Sequence, residues 1–275
     1  MADSLPGRVV LRGRKIVAAV LRYPPVSDYV DLDRAVAGTP SAVAEEGGDP
    51  GVISFGVQVE ILRRAMRREG VEVIFRPVRL DHLESVFEAP IGADCMFPIF
   101  PSPDRNETGV VVGKTHRVGL SAIARREHGG IKTEQELLDR KRRIVVTTGE
   151  IGHEYLRGKI KEGLVDEGQV SELKAQSLTD MMILVREKIV DVAICDSLTC
   201  YRFLKMAPEG NQLIGLFLGD PIDEFEAGFF TPRNDDEFGL WLDRSVLVEL
   251  AESWVADYER REFGGVEGVI RRVLG

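Results

Sequence analysis

Cysteine is scarce in this sequence, with Cys95, Cys195 and Cys200 the only three in 275 residues. So low and odd a count excludes a disulfide framework as the scaffold, and three free thiols are expected. Histidine is nearly as rare: His82, His116, His128 and His153 include no i,i+4 pair, and Cys95 lies far from the other two thiols. No zinc-ligand spacing results, so neither a metal centre nor a cofactor is predicted. Positive charge is in deficit, 36 Lys+Arg against 45 Asp+Glu for a net −9, which disfavours a nucleic-acid partner. No run approaches the roughly 18 apolar residues that a bilayer crossing needs, so no membrane insertion is predicted. Ile16 to Leu21 is too short for a signal-peptide core, and no small-residue cleavage site follows it. As written, the chain reads as cytoplasmic; removal of a leader would leave the same pattern.

What is present is an ordinary globular composition, 44% hydrophobic and 29% charged. At about 150 residues per domain the length corresponds to two domains or one large one, with ample core. Lys15–Tyr23 reads as a buried strand, and 26–52 as a long polar loop with one short helix. Phe55–Glu69 reads as an amphipathic helix stopped by Gly70, and Val71–Val78 as an alternating strand. Asp81–Phe87 is a short helix, and Ala93–Phe97 a strand. The alternation then repeats, with strands at Val118–Ala124, Arg143–Thr147, Glu172–Ala175 and Asp191–Cys195. Helices are expected at Thr133–Asp139, Gly152–Glu162, Leu178–Glu187 and Ser197–Met206. Such alternation implies βαβ units and parallel sheets. Two further strands, Leu213–Leu218 and Ala227–Thr231, precede one long helix over Asp235–Glu262. Two βα series and a helical return imply two α/β lobes, with ligands at the switch points of the sheets.

Several motifs have plain alternatives. Gly109–Thr115 (GVVVGKT) has three residues between its glycines where a phosphate loop needs four, and its valines favour a strand. Arg63, Arg64, Arg67 and Arg68, and the run Arg140–Arg143, read as solvated basic faces. Asn106-Glu107-Thr108 is a glycosylation sequon that matters only in a eukaryotic secretory setting. Glu150, His153 and Glu154 gather at a helix start, where they are either acid–base candidates or a solvated first turn favoured by the helix dipole.

Four stretches, in order, carry a resemblance: Phe55–Glu60 leading to VEVIFRPV; Asp94 through Pro103-Asp104-Arg105; Leu137–Val146 followed by Gly149; and Val190–Asp196 (VDVAICD). Together they are similar to the polar amino-acid solute-binding proteins of ABC transporters, which have the type 2 periplasmic binding fold. The resemblance implies an α/β, two-lobed chain, each lobe a mostly parallel sheet flanked by helices. Lobe 1 would comprise 1–113 and 219–275, lobe 2 118–214, with hinges near 113–117 and 214–218. It implies a small zwitterionic or carboxylated metabolite as ligand, an ABC permease or a sensor as partner, and a periplasmic location if a leader was removed. Arg105 would clamp the ligand carboxylate, where a planar fork matches two oxygens. The Gly149-Glu150-Ile151 turn would present helix N–H groups to the same carboxylate. Asp196 would accept from the ligand ammonium while capping a helix, and Tyr23 would pack on the ligand. Arg105 and Asp196 are both expected outside the core. Phe100 stands where the family has Ser or Thr, and Glu150 or Ile151 replaces the Thr of the turn, so an ordinary amino acid is not assured as ligand. The alternative is an enzyme on the same fold, a cyclohexadienyl- or arogenate-type dehydratase using Glu150, His153 or Glu154 as general acid.

Overall fold

The computed structural model describes residues 15–23, 26, 28–31, 52–79, 83, 85–103, 105–174, 178–206, 212–262 and 270–272. The chain is α/β and divides into two compact units, residues 1–116 with 226–264 and 272–275, and residues 117–225 with 265–271.

The first unit is built on β1 (Lys15–Val20), whose apolar run is buried from Ala18 to Val20 as a strand covered on both faces should be. It pairs in parallel with β4 (Glu72–Pro77) on one side and β5 (Cys95–Ile99) on the other. β11 (Glu224–Pro232) adds antiparallel to β5. α1 (Val57–Glu69) lays Val57, Ile61, Leu62, Ala65 and Met66 into the core. It stops at Gly70, whose φ of 67° is left-handed and whose N–H bonds back to Arg67 O. α7 (Asp236–Leu250) and α8 (Ser253–Glu262) pack on α1. Ala19, Met96, Ile99 and Phe230 form part of one buried cluster.

Three expectations are corrected in this unit. The segment read as a loop carries an antiparallel pair, β2 (Asp28–Asp31) with β3 (Val52–Phe55), so α1 begins at Val57 and not at Phe55. The helix expected inside that segment lies outside the described residues, as do residues 81, 82 and 84 of the one expected over 81–87. The terminal helix is two: α7 ends at Leu250, with Ala251 as its cap and no glycine or proline, and α8 restarts at Ser253. The arginines of α1 are not merely solvated. Arg63 and Arg64 both bond Glu60, Arg64 lies over the Trp254 ring at 4.4 Å, and Arg68 pairs with Glu249 at 2.9 Å.

β6 (Gly109–Arg125) is one 17-residue strand where a break was expected near Gly113. Gly113 holds the strand at φ 53°, donates its N–H to Asp243 Oδ1 at 2.9 Å, and has no room for a Cβ, which would meet Val246 at 2.8 Å.

In the second unit, β7 (Ile144–Thr147) pairs in parallel with β8 (Val170–Leu173) and β9 (Val192–Asp196). β6 runs antiparallel to β9 and to β10 (Leu213–Leu216). The helices are α3 (Glu134–Leu137), α4 (Ile151–Lys161), α5 (Leu178–Arg186) and α6 (Ser197–Met206). α3 starts on a capping box in which Thr133 Oγ1 accepts from Glu136 N–H and Glu136 accepts from Thr133 N–H. α4 lies so close to β9 that a Cβ on Gly152 would stand 2.4 Å from Ile194 O. Arg125, 5% exposed, donates to the Val185 and Val190 carbonyls at 2.7 and 2.8 Å and tethers the end of α5 to β6. The run Arg140–Arg143 is partly structural, since Arg143 bonds Asp191 with side chain and backbone.

Candidate functional site

Each unit contains a reversal of strand order. In the first, the chain leaves β1, returns as β4 on one side, and later as β5 on the other. In the second, β7 is followed by β8 on one side and β9 on the other. The carboxyl ends of strands flanking such a reversal open a crevice where open α/β sheets bind ligands. All seven residues singled out from the sequence lie at or just beyond these two pairs of strand ends.

At the first reversal, Tyr23 follows β1 and Phe100 follows β5. Their rings meet edge to face with centroids 6.1 Å apart. Arg105 opens the short helix α2 (Arg105–Thr108) and its Nη1 donates to Phe100 O at 2.6 Å. Its backbone N–H donates to Ser102 Oγ at 3.3 Å. The structure thus brings Tyr23, Phe100 and Arg105 together. The expectation that Arg105 lies outside the core is corrected: the residue is 6% exposed. The bond from Nη1 anchors the guanidinium to the backbone just beyond β5.

At the second reversal, β7 ends in a turn where Gly149 adopts φ 80° and Glu150 is the N-cap of α4, its side chain making no capping bond. Glu150 N–H donates to Thr147 O at 3.1 Å, and Glu150 O accepts from the N–H groups of His153 and Glu154. Ile151 is buried and contributes apolar surface. Asp196 ends β9 and its Oδ1 accepts from Thr199 N–H at 2.8 Å, capping α6. Asp196 is also corrected to a buried position, 4% exposed. Ser197 beside it is held by Gly119 N–H, which donates to Ser197 Oγ at 3.0 Å.

The turn contains a group whose placement was not foreseen. Gly149 N–H donates to His153 Nδ1 at 3.2 Å, while His153 Nε2 lies 3.3 Å from Glu172 Oε1 and Glu154 Oε1 sits 3.6 Å from Nδ1. The reading of a solvated first turn is therefore corrected for His153, which is buried. Negative charge concentrates here. The Cys195 thiol is pushed well up by its hydrogen bond with Cys200, by burial, and by the charges of Cys200, Asp196 and Glu150.

Among the described residues, no group of three or more His, Cys, Asp or Glu is placed to hold a metal ion, and no helix is long and apolar enough to cross a membrane. No protein-family model matches the sequence, and no curated protein matches it significantly. Solved structures do match. One is a histidine-bound substrate-binding protein of an ABC uptake transporter from Streptococcus pneumoniae, with a TM-score of 0.69 at 12% identity, covering 93% of this chain and 94% of that one. Another is a histidine kinase sensor domain similar to periplasmic binding proteins, with a TM-score of 0.67 at 19% identity, covering 91% and 96%. A third is the arginine-, lysine-, histidine-binding protein ArtJ of Geobacillus stearothermophilus, with a TM-score of 0.66 at 14% identity, covering 91% and 96%. The chain therefore has the fold of the periplasmic-type substrate-binding proteins.

Proposed function

We propose that the chain captures a small amino-acid-like ligand, for delivery to an ABC permease or for sensing. The observation that carries this reading is the coincidence of the predicted site residues with the carboxyl-end strand reversal of each unit. Arg105 offers a fork for a carboxylate and Asp196 an acceptor for an ammonium, while Tyr23 and Phe100 offer an aromatic wall. The carboxylates of the second reversal, Asp196 at the end of β9, Glu150 at the start of α4, and Glu154 and Glu172 beside His153, support a preference for basic over acidic amino acids, since an anionic side chain there would be repelled. Arginine- and histidine-bound proteins among the structural neighbours agree with that preference. His153 favours binding over acid–base chemistry, because Gly149 N–H occupies its Nδ1 and Glu172 lies against its Nε2.

A thermal-shift screen of the free amino acids tests the proposal. A ligand at a hundred times its Kd stabilises by about 2.7 kcal/mol, which raises Tm by about 5–10 °C in a chain of this size. The expected result is a shift of that order with arginine, lysine or histidine and none with glutamate. A screen without any shift contradicts capture of an amino acid; a shift with glutamate alone contradicts the charge preference.

A further inference from the structure

All three cysteines are reduced and buried, but they are not equivalent. Cys95 lies in β5 of the first unit, whereas Cys195 and Cys200 both lie in the second with their sulfurs 3.2 Å apart. Cys195 is the penultimate residue of β9, and Cys200 stands in the first turn of α6. The cap between Asp196 Oδ1 and Thr199 N–H fixes the bend that folds one thiol over the other. A disulfide bond is about 2.05 Å long, so closure asks for an approach of about 1.2 Å. One turn of one helix can supply it.

We propose that Cys195 and Cys200 are a redox-responsive pair that closes to a disulfide across the turn bearing Asp196. Small hydroperoxides are the class of oxidant that can enter where a bulky disulfide cannot. The Cys200 sulfur, having released its proton, attacks the distal oxygen of the hydroperoxide. The O–O bond breaks, leaving Cys200 as sulfenic acid, and the departing oxygen takes up a proton. The Cys195 sulfur then attacks the Cys200 sulfur, the S–O bond breaks, and the leaving hydroxide takes the Cys195 proton as water. Two thiols lose two electrons, and the hydroperoxide is reduced to an alcohol and water, or to two waters when it is hydrogen peroxide. The order follows from the surroundings of Cys195, whose ionisation is opposed first by its hydrogen bond with Cys200, then by burial and by the charges of Cys200, Asp196 and Glu150, so it acts second, as the resolving thiol. Burial of both sulfurs slows the first step, so the pair responds to sustained oxidation.

The test does not depend on any ligand. The folded full-length protein is incubated with hydrogen peroxide, free thiols are alkylated, and intact mass and peptide maps are recorded, with and without subsequent dithiothreitol. The expected result is a loss of two hydrogens, reversed by dithiothreitol, mapped to a link between Cys195 and Cys200. Cys95→Ser should keep the loss, and both Cys195→Ser and Cys200→Ser should abolish it. The proposal is overturned if all three thiols of the wild type remain alkylatable after oxidation, or if the cross-link involves Cys95. It is equally overturned if either Cys195→Ser or Cys200→Ser still loses two hydrogens.

Discussion

Replacing Arg105 separates a structural from a recognition role. The side chain is 6% exposed and its Nη1 holds Phe100 O at 2.6 Å. A hydrogen bond from a charged donor contributes about 1.5–3 kcal/mol, so Arg105→Ala should destabilise the protein by that amount. At about 2–4 °C per kcal/mol the corresponding fall in Tm is about 3–12 °C. Arg105→Lys keeps a cation and a donor within reach of the same carbonyl, and should recover most of the stability. It cannot recover the fork. If Arg105 clamps a carboxylate, Arg105→Lys should bind at least tenfold more weakly, which is about 1.4 kcal/mol. Calorimetric unfolding and titration with the amino acid that gives the largest thermal shift read the two effects apart. Unchanged stability in Arg105→Ala would refute the structural role. Stability lost in Arg105→Ala and affinity kept in Arg105→Lys would reduce Arg105 to a prop for the Phe100 wall.

Gly152→Ala should destabilise by about 1–3 kcal/mol in denaturant unfolding, because its Cβ would stand 2.4 Å from a backbone oxygen that has no free direction to move. Asp191 predicts an acid limb. Burial would raise its pKa, but bonds from the Arg143 side chain and backbone and from Arg125 outweigh this and hold the carboxyl at about 2. A carboxylate depressed in the folded state stabilises above the ordinary carboxylate pKa, and that stability is lost as pH falls from about 4 towards 2. After allowance for solvent screening the loss should be about 1–2 kcal/mol, and Asp191→Asn should flatten it in acid unfolding curves. Asp196→Ala removes the cap on α6 and should lower stability by about 0.5–2 kcal/mol, whereas Asp196→Asn should retain the cap and lose the charge.

The alternation of strand and helix was legible because each element carries its own period and its own stop, as Gly70 shows at the end of α1. Arg105 and Asp196 stood out as candidates only through the order of four short stretches, and their burial did not, because the sequence shows a charge without the carbonyl or amide that partners it. The β2–β3 pair escaped because each strand is only four residues long, too short to show a clear period, and the two lie far apart in the sequence. β6 was read as two strands because the resemblance places a hinge near 113–117, whereas Gly113 lies within one continuous strand. The acceptor of the Gly113 N–H, Asp243 Oδ1, comes from a helix 130 residues later. The break between α7 and α8 carries no glycine or proline to announce it. His153 and the Cys195–Cys200 contact depend on how a strand end turns into a helix, which residue spacing alone does not specify.

The most direct test of the central claim, capture of a zwitterion by Arg105 and Asp196, is isothermal titration of wild type, Arg105→Lys and Asp196→Asn with L-arginine, L-lysine and L-histidine at low salt. The account predicts saturable one-site binding of at least one of these by the wild type, weakened at least tenfold by each substitution while unfolding shows both variants intact. Absence of heat with all three, or equal affinity in the three proteins, would contradict it.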